Sequence, residues 1–356
     1  MSLGSRCLVI ASLIIFPGIS HAVIENIPTE NGWGGRILLG AGYTDLESNT
    51  VAGNKLVKVG NKGVDSLSAS PESDDQAHAF VSGEIKYTFG DQWQAFLGSS
   101  LFDRLTLDFA QQLGIRKQTD GGQKFGAGIL FSGIPTEVWE DPYQTSDTGP
   151  RSETDRDSVG IRLEWDKILG SGANLTLDFR DIEIDKDFIG QNVTGGTGPA
   201  LTCDAACQNL LRRDGEFVRL EAAWGFRPSQ KHLLRPAVRW FNFDGDGNAQ
   251  DRSGYSVLVT WSYLAEKFTF TANGAYSDTD YDNPNPIYGI DQDSDGYTVA
   301  GTLFYKISSD GRWQATATAA YGDMDADIDF HDEKLFQVLV GAFFSFGNQP
   351  NRWQKR

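Results

Sequence analysis

Apolar and polar residues alternate with a period of two along most of this chain. The first clear stretch shows the pattern. Trp33, Ile37, Leu39, Ala41 and Tyr43 fall on one face, and Gly34, Arg36, Gly40, Gly42 and Thr44 on the other. Such alternation marks a strand with one apolar and one polar face. Fourteen segments follow it: 33–44, 77–89, 92–100, 104–117, 123–133, 158–167, 173–184, 216–226, 232–243, 255–263, 268–277, 297–307, 312–322 and 334–346. Most lie near the ~9–11 residues that a tilted strand needs to cross hydrocarbon. Strands of a soluble sandwich average ~5–6 residues. The pattern predicts an all-β fold, a transmembrane antiparallel up-and-down β-barrel of about 14 strands.

The connections alternate as well. Short turns are expected at 90–91, 119–122, 168–172, 227–231, 264–267 and 308–311. Longer links are expected at 45–76, 134–157, 185–215, 244–254, 278–296 and 323–333, with a short exception at 101–103. Short turns on one side and long loops on the other is the outer-membrane arrangement, and an even strand count returns both ends to the periplasm. The expected location is the cell outer membrane, with lipids and lipopolysaccharide as neighbours.

Both ends of the chain fit this reading. Arg6, the apolar run 7–16, the break at Pro17-Gly18 and the small residues at Ser20-His21-Ala22 predict a signal peptide, 1–22, cleaved after Ala22. The barrel then occupies 23–346. Gly341, Phe344 and Phe346 stand in a Gly-x-x-aromatic-x-aromatic run. It resembles the terminal-strand signal read by the outer-membrane barrel assembly machinery, an expected partner. Residues 347–356 are read as a periplasmic tail.

The net charge of −17 argues against nucleic acid as a partner. The polar face of the strands carries a different balance. The register puts eleven bases inside: Arg36, Lys86, Arg116, Lys124, Arg162, Arg180, Arg219, Arg235, Arg239, Lys306 and Arg312. Six acids join them: Glu84, Asp108, Glu164, Asp166, Asp178 and Glu221. A lumen so charged cannot be a dry core, because unpaired ions in low dielectric cost too much. Fourteen strands leave room for a pore. The first functional expectation is therefore a porin-like channel for passive diffusion of small hydrophilic solutes, with a slight anion preference. The alternative is a non-conducting, surface-binding or structural barrel whose acidic loops attract divalent cations.

Other chemistry is sparse. Cys203 and Cys207 are four apart, so a helical turn over 204–211 brings them near disulfide distance. Two cysteines are too few for a zinc site. Asp291, Asp293 and Asp295 precede Gly296, as in the first half of a calcium loop, but Thr302 stands where a twelfth-position Glu is needed. Ca²⁺ at these acidic loops is the one cofactor considered. Three histidines remain after the leader, His78, His232 and His331, and no Gly-x-Ser-x-Gly motif is present. His78 near Ser66 or Ser70 is the nearest thing to a catalytic pair, and an enzyme is not expected.

The middle of the chain carries longer motifs. These are Trp139-Glu140-Asp141-Pro142-Tyr143, Arg151-Ser152-Glu153-Thr154-Asp155, Leu163 to Ser171, and Leu210-Leu211-Arg212-Arg213-Asp214. In them the chain resembles a gammaproteobacterial family of uncharacterised outer-membrane proteins, a domain of unknown function. The resemblance implies an outer-membrane barrel and supplies no activity or catalytic residues.

Overall fold

The computed structural model describes residues 26–60, 63–98, 109–193 and 202–347. The expected signal segment 1–22, the tail beyond Gly347, the link 101–103, Asp108 and the start of the fourth segment lie outside these residues. The first nine strands are β1 (Gly32–Glu47), β2 (Val51–Asn54), β3 (Val57–Lys58), β4 (Ser73–Phe89), β5 (Trp93–Gly98), β6 (Phe109–Gln118), β7 (Lys124–Ile134), β8 (Thr136–Trp139) and β9 (Glu153–Asp166). The rest are β10 (Ala173–Ile184), β11 (Gly215–Trp224), β12 (Phe226–Ser229), β13 (His232–Gly245), β14 (Arg252–Leu264), β15 (Phe268–Tyr281), β16 (Ser294–Lys306), β17 (Trp313–Ala326) and β18 (Glu333–Gly347).

Fourteen of these strands form the wall, each antiparallel to its neighbours. The last strand closes on the first, from Gly34↔Gly347 through Glu47↔Lys334. Closure satisfies every ladder without leaving an edge, which a sheet in lipid requires. Among the described residues no helix is long and apolar enough to cross a membrane. The strands cross instead, as the alternation predicted.

Alternation decides which way each side chain faces. On β16, Tyr297, Val299, Leu303 and Tyr305 are exposed on the outside, while Thr298, Ala300 and Thr302 are buried inside. Aromatic side chains flank this apolar band. Trp33 and Tyr87 pack 5.1 Å apart at the short-turn end, and Trp313 and Phe344 4.7 Å apart. Tyr43 meets Phe336 at 6.4 Å at the long-loop end. Amphipathic rings belong at the two lipid–water boundaries. The protein is an outer-membrane β-barrel.

Several strands outrun the alternating segments at the long-loop end. β14 starts at Arg252 rather than 255, β15 runs to Tyr281 rather than 277, and β17 runs to Ala326 rather than 322. The added outward positions are polar, among them Ser253, Asp278, Asp280, Asp323 and Asp325. Above the lipid the ladder continues, but its outer face no longer has to be apolar.

The first long link is not an open loop. Its β2–β3 hairpin turns into the barrel and pairs with β8, a continuation of β7. Val51, Val57 and Val59 pack there against Leu46, Ala300, Ala320 and Leu335 of the wall. Asn54 Oδ1 accepts the Leu56 and Val57 amides at 2.8 and 3.1 Å, shaping the tip. Gly53 has φ +109, and a Cβ there would lie 2.0 Å from the Val57 carbonyl, so only glycine fits.

The band yields a prediction. Val340 lies halfway between the girdles on the lipid side of β18 and is 52% exposed there. Val340→Arg should lower folding stability by about 2–4 kcal/mol in bilayers, measured by urea titration of heat-modifiable gel mobility. Changing Phe344 and Phe346 together to Asp should block insertion altogether. Folded wild-type protein in the soluble periplasm would contradict the membrane assignment.

Candidate functional site

The candidate site is the lumen and its outer mouth. Inside the wall, charges gather in three clusters, each built by neighbouring strands. Asp178 of β10 is fully buried and receives Arg162 of β9 through two bonds, at 2.7 and 2.9 Å. Arg219 of β11 also reaches it, and Arg180 stands 3.7 Å away. Glu221 of β11 holds Arg235 and Arg239 of β13 at 2.8 and 2.7 Å. Glu84 of β4 pairs with Arg116 of β6 at 2.6 Å and with Lys86 at 3.3 Å, and Arg36 lies opposite it in register on β1. Period-two strands set side by side bring such residues together, because positions in register share a face.

Each carboxylate is thus shared by two or three bases. Eight bases face three carboxylates, an excess of five. Lys124 and Asp166 form a further pair at 3.5 Å, and Glu164 lies on the same inner face against Gly126. Two expected lumen bases stand elsewhere. Arg312 precedes β17 in an exposed turn beside Asp310, and the Lys306 ammonium reaches the Glu266 carbonyl at the exposed periplasmic rim. Alternation fixes a face, but it does not say where a strand leaves the barrel.

The outer mouth is closed by the loops. One buried cluster draws on six of them: Val64 and Leu67, Tyr143, Ile189 with Leu211, Ala249, Ile287, and Ile328 with Phe330. Tyr143 is at its centre. Its hydroxyl accepts from Asn285 Nδ2 at 2.9 Å and lies 3.1 Å from His331 Nε2. This contact joins loops that are 188 residues apart in the chain. Burial and the nearby Arg252 charge push His331 down to about 3.

Three of the four motifs of the middle of the chain build this seal, while Leu163 to Ser171 ends β9 and forms the short turn at the other end of the barrel. Asp141 accepts the amides of Tyr143, Gly190 and Asn192 at 3.1, 3.0 and 2.7 Å, tying two loops together. Arg213 grips Asp187 and the Trp139 carbonyl. Arg151 lies 4.4 Å over the Trp139 ring and donates to the Asn49 carbonyl at 2.6 Å. Glu153 and Asp155 take Lys58 and Lys55 of the inward hairpin. The alternation analysis assigned these residues no role; their mixture of aromatic, charged and proline positions inside long links was the only signal.

The remaining candidates are scattered. Cys203 and Cys207 are disulfide-bonded, Cα atoms 5.2 Å apart, at the start of α1 (Ala205–Leu211), which Asp204 caps. Asp293 accepts the Tyr281 amide at 2.7 Å, while Asp295 lies 3.3 Å from the Tyr276 hydroxyl. Asp291 is exposed. Among the described residues no three His, Cys, Asp or Glu side chains converge on a point where a metal could sit. Burial and neighbouring carboxylates raise Asp293 to about 6. His78 Nε2 is 3.0 Å from Thr44 Oγ1, and Ser70 faces Asp332, so the imagined His–Ser pair does not form. His232 accepts from the Trp261 indole at 3.0 Å.

The seal should respond to acid. A histidine whose folded pKa is depressed stabilises the fold above its unfolded pKa of ~6.5. That contribution falls away as pH drops toward 3. Loops 135–152 and 327–332 should exchange amide hydrogens faster as pH falls through this window, after correction for intrinsic rates. His331→Gln should remove that part of the pH dependence. Tyr143→Phe should cost the seal about 1–3 kcal/mol of local opening free energy at neutral pH, since two buried partners lose a bond. An unchanged exchange pattern in both variants would show that the network does not hold the mouth.

Comparison with known proteins adds the following. No curated protein matches the sequence. Among solved structures, a FadL homologue of Pseudomonas aeruginosa is 12% identical with a TM-score of 0.46, over 97% of this chain and all of that one. An outer-membrane channel of Pseudomonas putida F1 is 12% identical with a TM-score of 0.42, over 90% of this chain and 97% of that one. The channel DcaP of Acinetobacter baumannii is 10% identical with a TM-score of 0.39, over 88% and 98%. No residue role or solute is carried over from them. A family model matches residues 32–345, from the first wall strand to the last, and the chain belongs to that family, the protein of unknown function DUF2860.

Proposed function

We propose that the protein is an outer-membrane channel for small hydrophilic solutes, closed at its outer mouth by its own loops and opened when they part. The observation that carries this reading is the state of the inner charges. Arg116 and Glu84 keep 25% and 20% of their side-chain surface exposed inside a closed wall. Only water within the lumen can wet them. A purely structural barrel could fill that space with apolar side chains at lower desolvation cost. Passage is by diffusion, and the surplus of bases over acids on the inner face favours anions.

The seal itself supports a second reading, a non-conducting barrel that meets cations or lipopolysaccharide at its surface. An acidic groove of about 650 Å³ at the outer rim includes Asp181, Glu183, Asp214, Glu216, Asp244, Asp246 and Asp251. Divalent cations would screen these carboxylates.

Planar-bilayer recording separates the two. The wild-type barrel should open rarely, and deletion of the β2–β3 hairpin should raise its open probability at least about tenfold, the change expected for losing ~1.4 kcal/mol of closure. Reversal potentials across a salt gradient should show anion preference, reduced in Arg235→Gln. Silence in both wild-type and hairpin-deleted barrels would leave the surface-binding reading. In that case added Ca²⁺ should raise the melting temperature of the wild-type barrel.

A further inference from the structure

The short-turn end of the barrel carries basic side chains of two kinds. Four are held by the protein itself. Lys117 donates to the Asp91 carbonyl, Lys167 to Asn26 Oδ1 at 3.1 Å, and Lys306 to the Glu266 carbonyl at 2.6 Å. Arg312 pairs with Asp310 at 3.6 Å. Arg227, Lys231 and Lys267 differ. All three are exposed, and their side chains make no hydrogen bond or ion pair with any described residue.

These three stand on one arc of the wall. Arg227 and Lys231 lie in the β12–β13 hairpin and Lys267 in the β14–β15 turn, and β13 pairs with β14. The backbone ties the turns together. The Lys231 carbonyl accepts the Leu264 amide at 2.7 Å, and the Lys267 carbonyl accepts the Lys306 amide at 2.9 Å. Glu266 is the one acid in the two turns, so a positive surplus remains.

Rings adjoin these cations on the outer face. Trp224 and Phe226 lead into the hairpin and are exposed there. The His232 ring lies 5.7 Å from Trp261 and 5.2 Å from Tyr263. Trp261 meets Phe270 at 6.1 Å, and Tyr263 meets Phe268 at 5.9 Å. Such a band marks the level of the lipid headgroups. At the opposite end of β15 the outward positions are Asp278 and Asp280, which would repel an anion.

We infer that this arc binds an anionic phospholipid of the inner leaflet. The headgroup phosphate lies toward Arg227, Lys231 and Lys267, which are free to donate to it. The acyl chains run along the rings of β13 to β15. A zwitterionic lipid would turn a cation of its own toward the three bases. A soluble phosphate would leave the rings uncovered. The site does not depend on whether the barrel conducts.

The test measures lipid binding alone. Refolded full-length barrel in detergent micelles is titrated with phosphatidylglycerol and with phosphatidylcholine of the same acyl chains. Native mass spectrometry counts the bound lipid. Phosphatidylglycerol should bind at least about tenfold more tightly. Arg227→Gln, Lys231→Gln and Lys267→Gln together should lose at least about tenfold of that affinity, since one base near an anionic lipid is worth roughly fivefold. Heat-modifiable mobility shows whether the triple variant folds; if it does not, Lys231→Gln alone should lose about fivefold. Lys117→Gln, Lys167→Gln and Arg312→Gln together should change the affinity less than about twofold. Glycerophosphoglycerol, the headgroup without acyl chains, should not compete. Equal binding of the two lipids overturns the inference, and that comparison needs no variant. Equal losses in the two triple variants would show diffuse attraction to the whole rim and overturn the site. Full competition by glycerophosphoglycerol would overturn the lipid as its ligand.

Discussion

A polypeptide in hydrocarbon has no water with which to satisfy its amides and carbonyls, and everything else in this structure depends on that. The ladder must close, and it does so between β18 and β1. Once the outward positions are given to lipid, polar chemistry has two places left, the inner face and the segments above the membrane. The inner face takes the paired arginines. The segments above the membrane take the acidic surface and the seal.

The seal answers a second form of the same constraint. Loops buried against one another must also satisfy their backbone. Asp141 takes three amides of two loops, and Arg213 and Arg151 take carbonyls of their neighbours. Charged side chains act here as substitutes for a ladder, and each is buried only because the chain around it supplies its partners. The apolar cluster of Tyr143, Ile287 and Phe330 then has a frame on which to close. Removing one member exposes the others, so the seal is expected to open cooperatively rather than loop by loop.

The wall was legible in the sequence because its rule is local. Period-two alternation depends on neighbours two positions apart, and fourteen segments carry it. The inward charges Arg162, Asp178, Arg219, Glu221 and Arg239 follow from the same register. The β2–β3 hairpin was not legible. Val51 to Asn54 are all buried, so there is no alternation to read, and β2 finds its partner β8 more than eighty residues away. The seal was hidden for the same reason. His331 meets Tyr143 across a separation of 188 residues, and no pattern within either loop announces the other. The family motifs marked the right residues but not their purpose.

Charge runs in opposite senses on the two sides of the seal. The outer rim is acidic, while the lumen below has more bases than acids. Fields beyond a Debye length of ~8 Å are largely screened in physiological salt. The acidic rim and the inner bases therefore act over separate short ranges, one in open water and the other inside the wall. The loop seal lies between the two regimes. The seal thus keeps apart an acidic surface that faces open water and a set of paired, predominantly basic charges enclosed by the wall.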